Sequence, residues 1–454
     1  MTHYPTLPLA VYAKRRKQLA RSMLAQGGGV ALLYAGPEIM RNRDADYPFR
    51  TDSYFYYLTG FPEPEACLAL VADAASRKVR SVLFCREKDP EREIWEGFRF
   101  GPEAACQAFG MDEAQPETEL ETRLETLLAN QHQVYVLLGQ SHSMEEQALS
   151  VLATLRGKAR HGINAPQGLA DASHLLDDMR LFKGREEIRL MKRAASISAQ
   201  AHQAAMQATR PGCFEYEIEA ELLYHFRKNG SEFPAYGSIV ASGANACVLH
   251  YRANNARLQA GDLLLIDAGC ELDCYASDIT RTFPVSGCFS APQQAVYEVV
   301  LAAQHAAIKA TRPGKRFNQV HDAAVKVLVQ GLIDLKILKG SVSGNLESGK
   351  YRNFYMHRTS HWLGMDVHDC GSYRNPHAKP GETGPKTSRT LEPGMVLTIE
   401  PGLYIGPAKE VPAKYHNIGI RIEDDALVTA HGCEVYTEAA PKQVDDIHHL
   451  MKAP

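Results

Sequence analysis

The chain has 454 residues, 45% hydrophobic and 23% charged, with a formal net charge of −3. That balance fits a globular protein of more than one domain and leaves no bulk charge to attract nucleic acid or acidic lipid. No apolar run reaches the roughly 18 residues of a membrane span. The N-terminal MTHYPTLPLAVYAKRRKQ lacks the apolar core of a signal peptide, and ten scattered cysteines without a CxxC pair point to a reducing cytoplasm.

The first domain is expected over residues 1–172 with an α/β pattern. VYAKRRKQLARSMLA, from Val11 to Ala25, reads as a helix. The short apolar runs VALLYAG, ACLALVA, SVLFC and VYVLLG follow, separated by helical stretches, so a sheet covered by helices is expected. The glycine cluster at Gln26–Val30 lacks the lysine of a phosphate loop and reads as a connector. GQSHS, from Gly139 to Ser143, lacks the last glycine of a nucleophile elbow and reads as a loop.

The second domain is expected over residues 173–454. Apolar and small residues recur every three to four positions from Leu181 to Thr209, the spacing of a long helix that ends at the breaker pair Pro211-Gly212. A second helix is expected from about Phe214 to Lys228. An internal repeat then emerges. AHQAAMQATRPG at Ala201–Gly212 returns as AQHAAIKATRPG at Ala303–Gly314, and GDLLLIDAG at Gly261–Gly269 aligns with GMVLTIEPG at Gly394–Gly402. The second alignment sets Asp267 on Glu400, so two related halves each close an apolar strand with an acid.

Each half carries another acid on a following strand, Asp278 in SDITRT and Glu423 in NIGIRIEDD. In the latter, Ile418, Ile420 and Ile422 alternate with Gly419, Arg421 and Glu423, which puts Arg421 and Glu423 on one face. A hairpin from Asp267 to Asp278 would set those two carboxylates side by side. Four acids brought together in a buried site repel one another, and no lysine lies in the adjacent runs. A divalent cation, or two, meets the charge problem best. A neutral donor is expected from FYMHRTSHWLGMDVHDCG, which holds His357, His361 and His368. No HExxH is present, and a carboxylate-rich set favours a hard ion such as Mn²⁺. Cys270 and Cys274 read as packing residues.

The set Asp267, Asp278, His361, Glu400 and Glu423 resembles the ligands of the pita-bread metallopeptidases, and within them the chain resembles the aminopeptidase P group. LIDAGCE, SDITRTFPV, SHWLGMDVHD, LTIEPGLYI and GIRIEDD carry the likeness in the second half; PFRTDSYFYYLTGFPEPEA and EIWEGFRFG carry it in the first. The resemblance implies an α/β N-terminal domain and an α+β pita-bread catalytic domain with pseudo-twofold duplication. It implies two divalent ions, usually Mn²⁺, with Asp278 and Glu423 shared, Asp267 on one ion, and His361 and Glu400 on the other. The expected activity is release of the N-terminal residue from peptides with proline in second position, by attack of a metal-bridging hydroxide on the scissile carbonyl. His368 and His250 would line the substrate site, with His357 as a further contact. Glu400 would shuttle a proton, and Arg421 would orient carboxylates. Trp95 and Tyr404 would help accommodate the proline ring, Trp95 from a neighbouring subunit of a homodimer or homotetramer. The chain departs from the family where Arg358 follows His357, a position commonly held by glycine. The alternatives are a prolidase, acting on dipeptides, and a metal-free binding module on the same scaffold.

Overall fold

The computed structural model describes residues 6–452. The chain divides into two compact units between Arg180 and Leu181. The division expected from the sequence, at 172/173, lies ahead of the helix Ser173–Leu181. That helix belongs with the first unit because the Tyr54 hydroxyl donates to Asp177 at 2.7 Å and the Tyr57 hydroxyl to the Met179 carbonyl at 2.9 Å.

The first unit is built on a six-stranded mixed sheet, in the order Glu113–Pro116, Val79–Cys85, Cys67–Ala72, Gly29–Tyr34, Val134–Val136, Leu169–Asp171. The apolar runs read from the sequence supply its four inner strands. Cys67–Ala72 is buried at every position, so both sheet faces must be covered, which is why it reads as a continuous apolar run. On one face Val30, Leu32, Ala69 and Phe84 pack with Leu124 and Leu128 of the helix Leu120–Leu128 and with Leu152 and Leu155 of the helix His142–Gly157. Each such aliphatic side chain contributes about 1.5–3 kcal/mol when fully buried.

The second unit carries the duplication into three dimensions. The helix Arg185–Ala208 packs on Glu215–Lys228, and Ala291–Ala310 packs on Phe317–Asp334. Both long helices end on the same device. Thr209 Oγ1 donates to Ala205 O at 2.7 Å, and Thr311 Oγ1 donates to Ala307 O at 2.9 Å. The glycine of each TRPG then takes a left-handed φ, 94° at Gly212 and 82° at Gly314. Its amide donates to the leucine that leads into the acid-bearing strand, Gly212 N to Leu258 O at 2.8 Å and Gly314 N to Leu391 O at 3.0 Å.

Those strands sit in separate small sheets. Leu263–Asp267 lies between Ile239–Ser242 and Thr280–Pro284, both antiparallel to it. Val396–Ile399 pairs with Asp424–Val428, and Gly402–Ile405 pairs with Ile418–Arg421. Among the described residues no helix is long and apolar enough to cross a membrane. All ten cysteines are free, with Cys270 and Cys274 buried.

Candidate metal centre and active site

Leu263, Leu264, Leu265 and Ile266 are 0–3% exposed and lock their strand into the core, so the carboxylate that ends it is held on a rigid support. Asp267 lies opposite Thr280 in the antiparallel register. The hairpin returns Asp278 beside it, and the Tyr236 hydroxyl bonds to both acids, to Asp267 Oδ1 at 2.6 Å and to Asp278 Oδ1. Gly269 permits this tight return, since a Cβ there would lie 1.8 Å from the Ser277 carbonyl oxygen.

The other half brings its acids to the same place. Glu423 N donates to Thr280 O at 3.0 Å, and Thr280 Oγ1 donates to Glu423 Oε2 at 2.7 Å. Glu400 N donates to Thr359 O at 2.8 Å, which ties it to the histidine-bearing segment. His361 Nδ1 bonds the Trp362 carbonyl at 3.0 Å, so that nitrogen carries the proton. Nε2 is thereby left facing Asp278 Oδ2 at 3.5 Å and Glu400 Oε1 at 3.8 Å, the tautomer that a metal-binding imidazole needs. One ligand atom from each of Asp278, His361 and Glu423 falls within 4.8 Å of the others.

The charges of this set are out of balance without a cation. Four carboxylates converge, and the nearby protein cations are few. Arg421 donates to Asp267 Oδ2 at 2.6 Å, to Tyr404 Oη at 2.8 Å and to Thr280 Oγ1 at 3.1 Å. Arg281, on the opposite face of its strand, is spent on Asp424 at 2.7 Å, with Lys442 on the same acid. Protons therefore fill the deficit. Burial and then the charges of Asp278, Glu400 and Asp267 push the Glu423 carboxyl well above the carboxylate range. Burial raises Glu400 to about 7, against the pull of His361 and Arg421. Burial alone would lower His361, but Asp278 and Glu400 outweigh it and raise it to about 9. A cluster that must be protonated to balance itself, built from carboxylate oxygens and one correctly oriented imidazole, fits divalent cations.

These residues open onto a cavity of about 1070 Å³. Its wall includes Asp267, Asp278, His361, Glu400 and Glu423 together with His250, His357, His368 and Arg421. The His368 ring lies 4.2 Å from that of His361. His357 Nδ1 bonds the Arg358 carbonyl at 2.7 Å, so the Tyr404 hydroxyl donates to His357 Nε2 at 2.8 Å while accepting from Arg421. Tyr404 is 3% exposed and stands behind the wall as a relay from Arg421 to His357. Burial first, then Arg421, pushes His357 down to about 3, which keeps it neutral. Trp95 lies on the short helix Pro90–Glu96 of the first unit, with 87% of its surface exposed, so it is not a core indole.

Three contributors escaped the sequence reading. Thr280 carried a usable signal, since it follows Asp278 by two positions and shares its face. Asp425 accepts from Asp278 N at 3.1 Å from the neighbouring sheet, and Tyr236 sits in a loop without periodicity, so only tertiary contact reveals either.

Residues 189–430 match metallopeptidase family M24, and residues 12–135 match the aminopeptidase P N-terminal domain. The chain belongs to metallopeptidase family M24. It is 43% identical to the Xaa-Pro aminopeptidase of Escherichia coli K12 over 442 residues, 97% of each chain. Against the Xaa-Pro aminopeptidase of Haemophilus influenzae the figures are 44% over 451 residues and 99% of each. Among solved structures it is similar to aminopeptidase PepP of Pseudomonas aeruginosa, at 48% identity, a TM-score of 0.93 and 98% coverage of both chains. Zinc-substituted E. coli aminopeptidase P in complex with product matches at 43% identity and a TM-score of 0.93, again covering 98% of both. The architecture is therefore that of an aminopeptidase P, an α/β N-terminal domain followed by a duplicated pita-bread domain, as the motifs implied.

Proposed function

We propose that this chain is a metal-dependent Xaa-Pro aminopeptidase, an exopeptidase that removes the N-terminal residue from peptides whose second residue is proline. One observation carries the reading: carboxylates and an imidazole, short of protein cations, converge in a cavity with four further histidines on its wall. Alignment with Xaa-Pro aminopeptidases along 97–99% of the chain supports it. The relatives at 43–44% identity are Xaa-Pro aminopeptidases, which favours that activity over a prolidase.

Asp267 would hold one ion, His361 and Glu400 a second, with Asp278 and Glu423 shared, and the oxygen-rich set favours Mn²⁺. Bound there, the ions would lower the pKa of a water and would polarise the scissile carbonyl. The protein's own groups do the rest. Tyr236 and Arg421 fix the Asp267 carboxylate, and the His361 bond to the Trp362 carbonyl fixes the imidazole. Glu400 carries a proton to the proline nitrogen, which has no N–H of its own and leaves as an amine only when protonated. His250 and His368 orient the substrate carbonyl groups, and the relay from Arg421 through Tyr404 holds His357 neutral against the cavity. The exposed Ile94 and Trp95, side by side on one short helix, favour a homo-oligomer in which Trp95 caps the site of a neighbour. Ten unpaired cysteines favour the cytoplasm.

The test strips the protein with a chelator, reloads it with Mn²⁺, Zn²⁺ or Co²⁺, and follows alanine release from Ala-Pro-Ala and Ala-Pro. Release from the tripeptide, dependent on metal and strongest with Mn²⁺, is expected. Cleavage of Ala-Pro alone would make the chain a dipeptidase, and release from neither with any ion would sink the reading.

A further inference from the structure

The acid cluster accounts for only part of the cavity wall. Once its four carboxylates are balanced by cations, the remaining ionised side chains on the wall are Arg252, Arg358 and Arg374 against Asp322, because Arg421 is committed to Asp267. The rest of the wall is thus cationic. Arg374 donates to the Lys379 carbonyl at 2.7 Å, whereas the side chains of Arg252 and Arg358 make no hydrogen bond or ion pair among the described residues. Arg358 sits between His357 and His361, so its backbone lies within about 10 Å of the metal-site imidazole. Its charge reaches the helix Phe317–Asp334. Burial raises the Asp322 carboxyl there and Arg358 opposes that rise, while burial first and Arg358 second push His321 down to about 4.

A second observation marks the same stretch. Ser360 is 5% exposed, lines the cavity, and its hydroxyl has no partner. Asn318 Oδ1, on the same wall, is also unpartnered. The Arg358 guanidinium and, two positions on, the unsatisfied Ser360 hydroxyl belong to the same cavity wall and offer donors suited to a carboxylate. Reach agrees with this. In an extended peptide the carboxylate two residues beyond the scissile carbonyl lies about 7 Å away.

We propose that Arg358 is a specificity-determining residue that pairs with the carboxylate of the residue after proline, so that the chain prefers tripeptides ending there to longer or amidated peptides. The proposal rests on the exopeptidase reading and deepens it. A zwitterionic tripeptide then meets this cationic wall with its carboxylate toward the arginines and its ammonium away from them. A longer peptide places a neutral amide against Arg358 and loses the charge-assisted pair.

The experiment compares kcat/KM for Ala-Pro-Ala and its C-terminal amide in the metal-loaded protein and in R358Q. The wild type should favour the free acid by about tenfold or more, and R358Q should bring that ratio close to one. Should R358Q fail to fold, raising the salt concentration on the wild type must itself shrink the ratio. A wild-type ratio near one, a ratio unmoved by R358Q, or a wild-type ratio indifferent to salt overturns the proposal. If the wild type cleaves neither substrate, the exopeptidase reading fails and calorimetry with Pro-Ala and Pro-Ala amide judges Arg358 alone. Tighter binding of the acid supports the pairing; equal binding of the two ends it.

Discussion

At the residue scale, the site is governed by a surplus of buried negative charge that the protein's own cations do not cover. Tyr236 illustrates how close the margin is, since one hydroxyl serves both Asp267 and Asp278. Replacing it with Phe removes a donor from two buried oxygens while leaving the ring in place. The Tyr236→Phe variant should lose about 1–3 kcal/mol in the chelator-treated protein. It should lose less once a divalent ion takes over those oxygens, so the gap between metal-free and metal-loaded melting temperatures should widen. A gap equal to the wild type's would mean the hydroxyl does not matter to the acids. The pH dependence of metal binding follows from the same protons. In the metal-free protein His361 is held protonated up to about 9 and Glu400 up to about 7, with Glu423 higher than an ordinary carboxyl. A cation must displace those protons, so affinity falls as the pH drops and rises toward pH 9. Near pH 7 binding should release roughly two protons per protein, visible as a buffer-dependent heat in calorimetry. Buffer-independent heats would contradict the assignment.

At the scale of elements, the duplication explains how two strands far apart in sequence deliver acids to one place. The hydrogen bonds of Gly212 to Leu258 and Gly314 to Leu391 set the entry of each acid-bearing strand in the same way. The copies diverge at the next strand. Asp267 lies opposite Thr280, while Ile399 lies opposite Asp424, so one more step sets Glu423 opposite Glu400. Glu423 therefore holds the place of Thr280, and Asp278 that of Arg421. The two second acids, which the sequence presents as counterparts, are offset, and the offset gives Asp267 a guanidinium and Glu423 a hydroxyl. Gly269 is the tightest point of the first hairpin, because an added Cβ would meet the Ser277 carbonyl. Gly269→Ala should cost about 2 kcal/mol or more and lower metal content as the hairpin opens. Normal metal content and melting temperature would show that the hairpin tolerates the methyl.

His202 joins the long helix Arg185–Ala208 to the turn after Asp267, bonding Ala268 O at 2.9 Å through Nε2. Fully buried, it is pushed down from 6.5 to about 4, chiefly by burial. The unfolded chain thus binds a proton that the folded one refuses, and stability falls as the pH drops from 6.5 through 4. The loss should approach about 3 kcal/mol, and His202→Gln should flatten that part of the stability curve in denaturant titrations. An equally steep curve in the variant would move the acid sensitivity elsewhere.

At the scale of the whole molecule, the two units differ in what they leave open. The second unit closes around its cavity, whereas the first presents Ile94 and Trp95 at 82% and 87% exposure on a helix with no buried residue. A second copy of the chain covering that helix would remove this surface from water. Ile94→Glu should then shift the mass measured by light scattering toward the monomer. An unchanged mass, oligomeric or monomeric, would show that this helix is not an interface.

The sequence by itself was enough for the strand and helix pattern, the duplication and the acids that close its strands. Apolar periodicity sets secondary structure locally, and an acid at the end of an apolar strand stands out against the cost of burying it. Strands such as Leu263–Asp267 and Val396–Ile399 were legible for that reason. The tertiary structure alone decided which partners each acid takes. Tyr236, Thr280 and Asp425 reach the acids, Arg421 reaches Asp267, and Arg281 turns away to Asp424. Those pairings join residues distant in the chain, and they depend on the register and side-chain direction of strands from both halves, which no local pattern encodes.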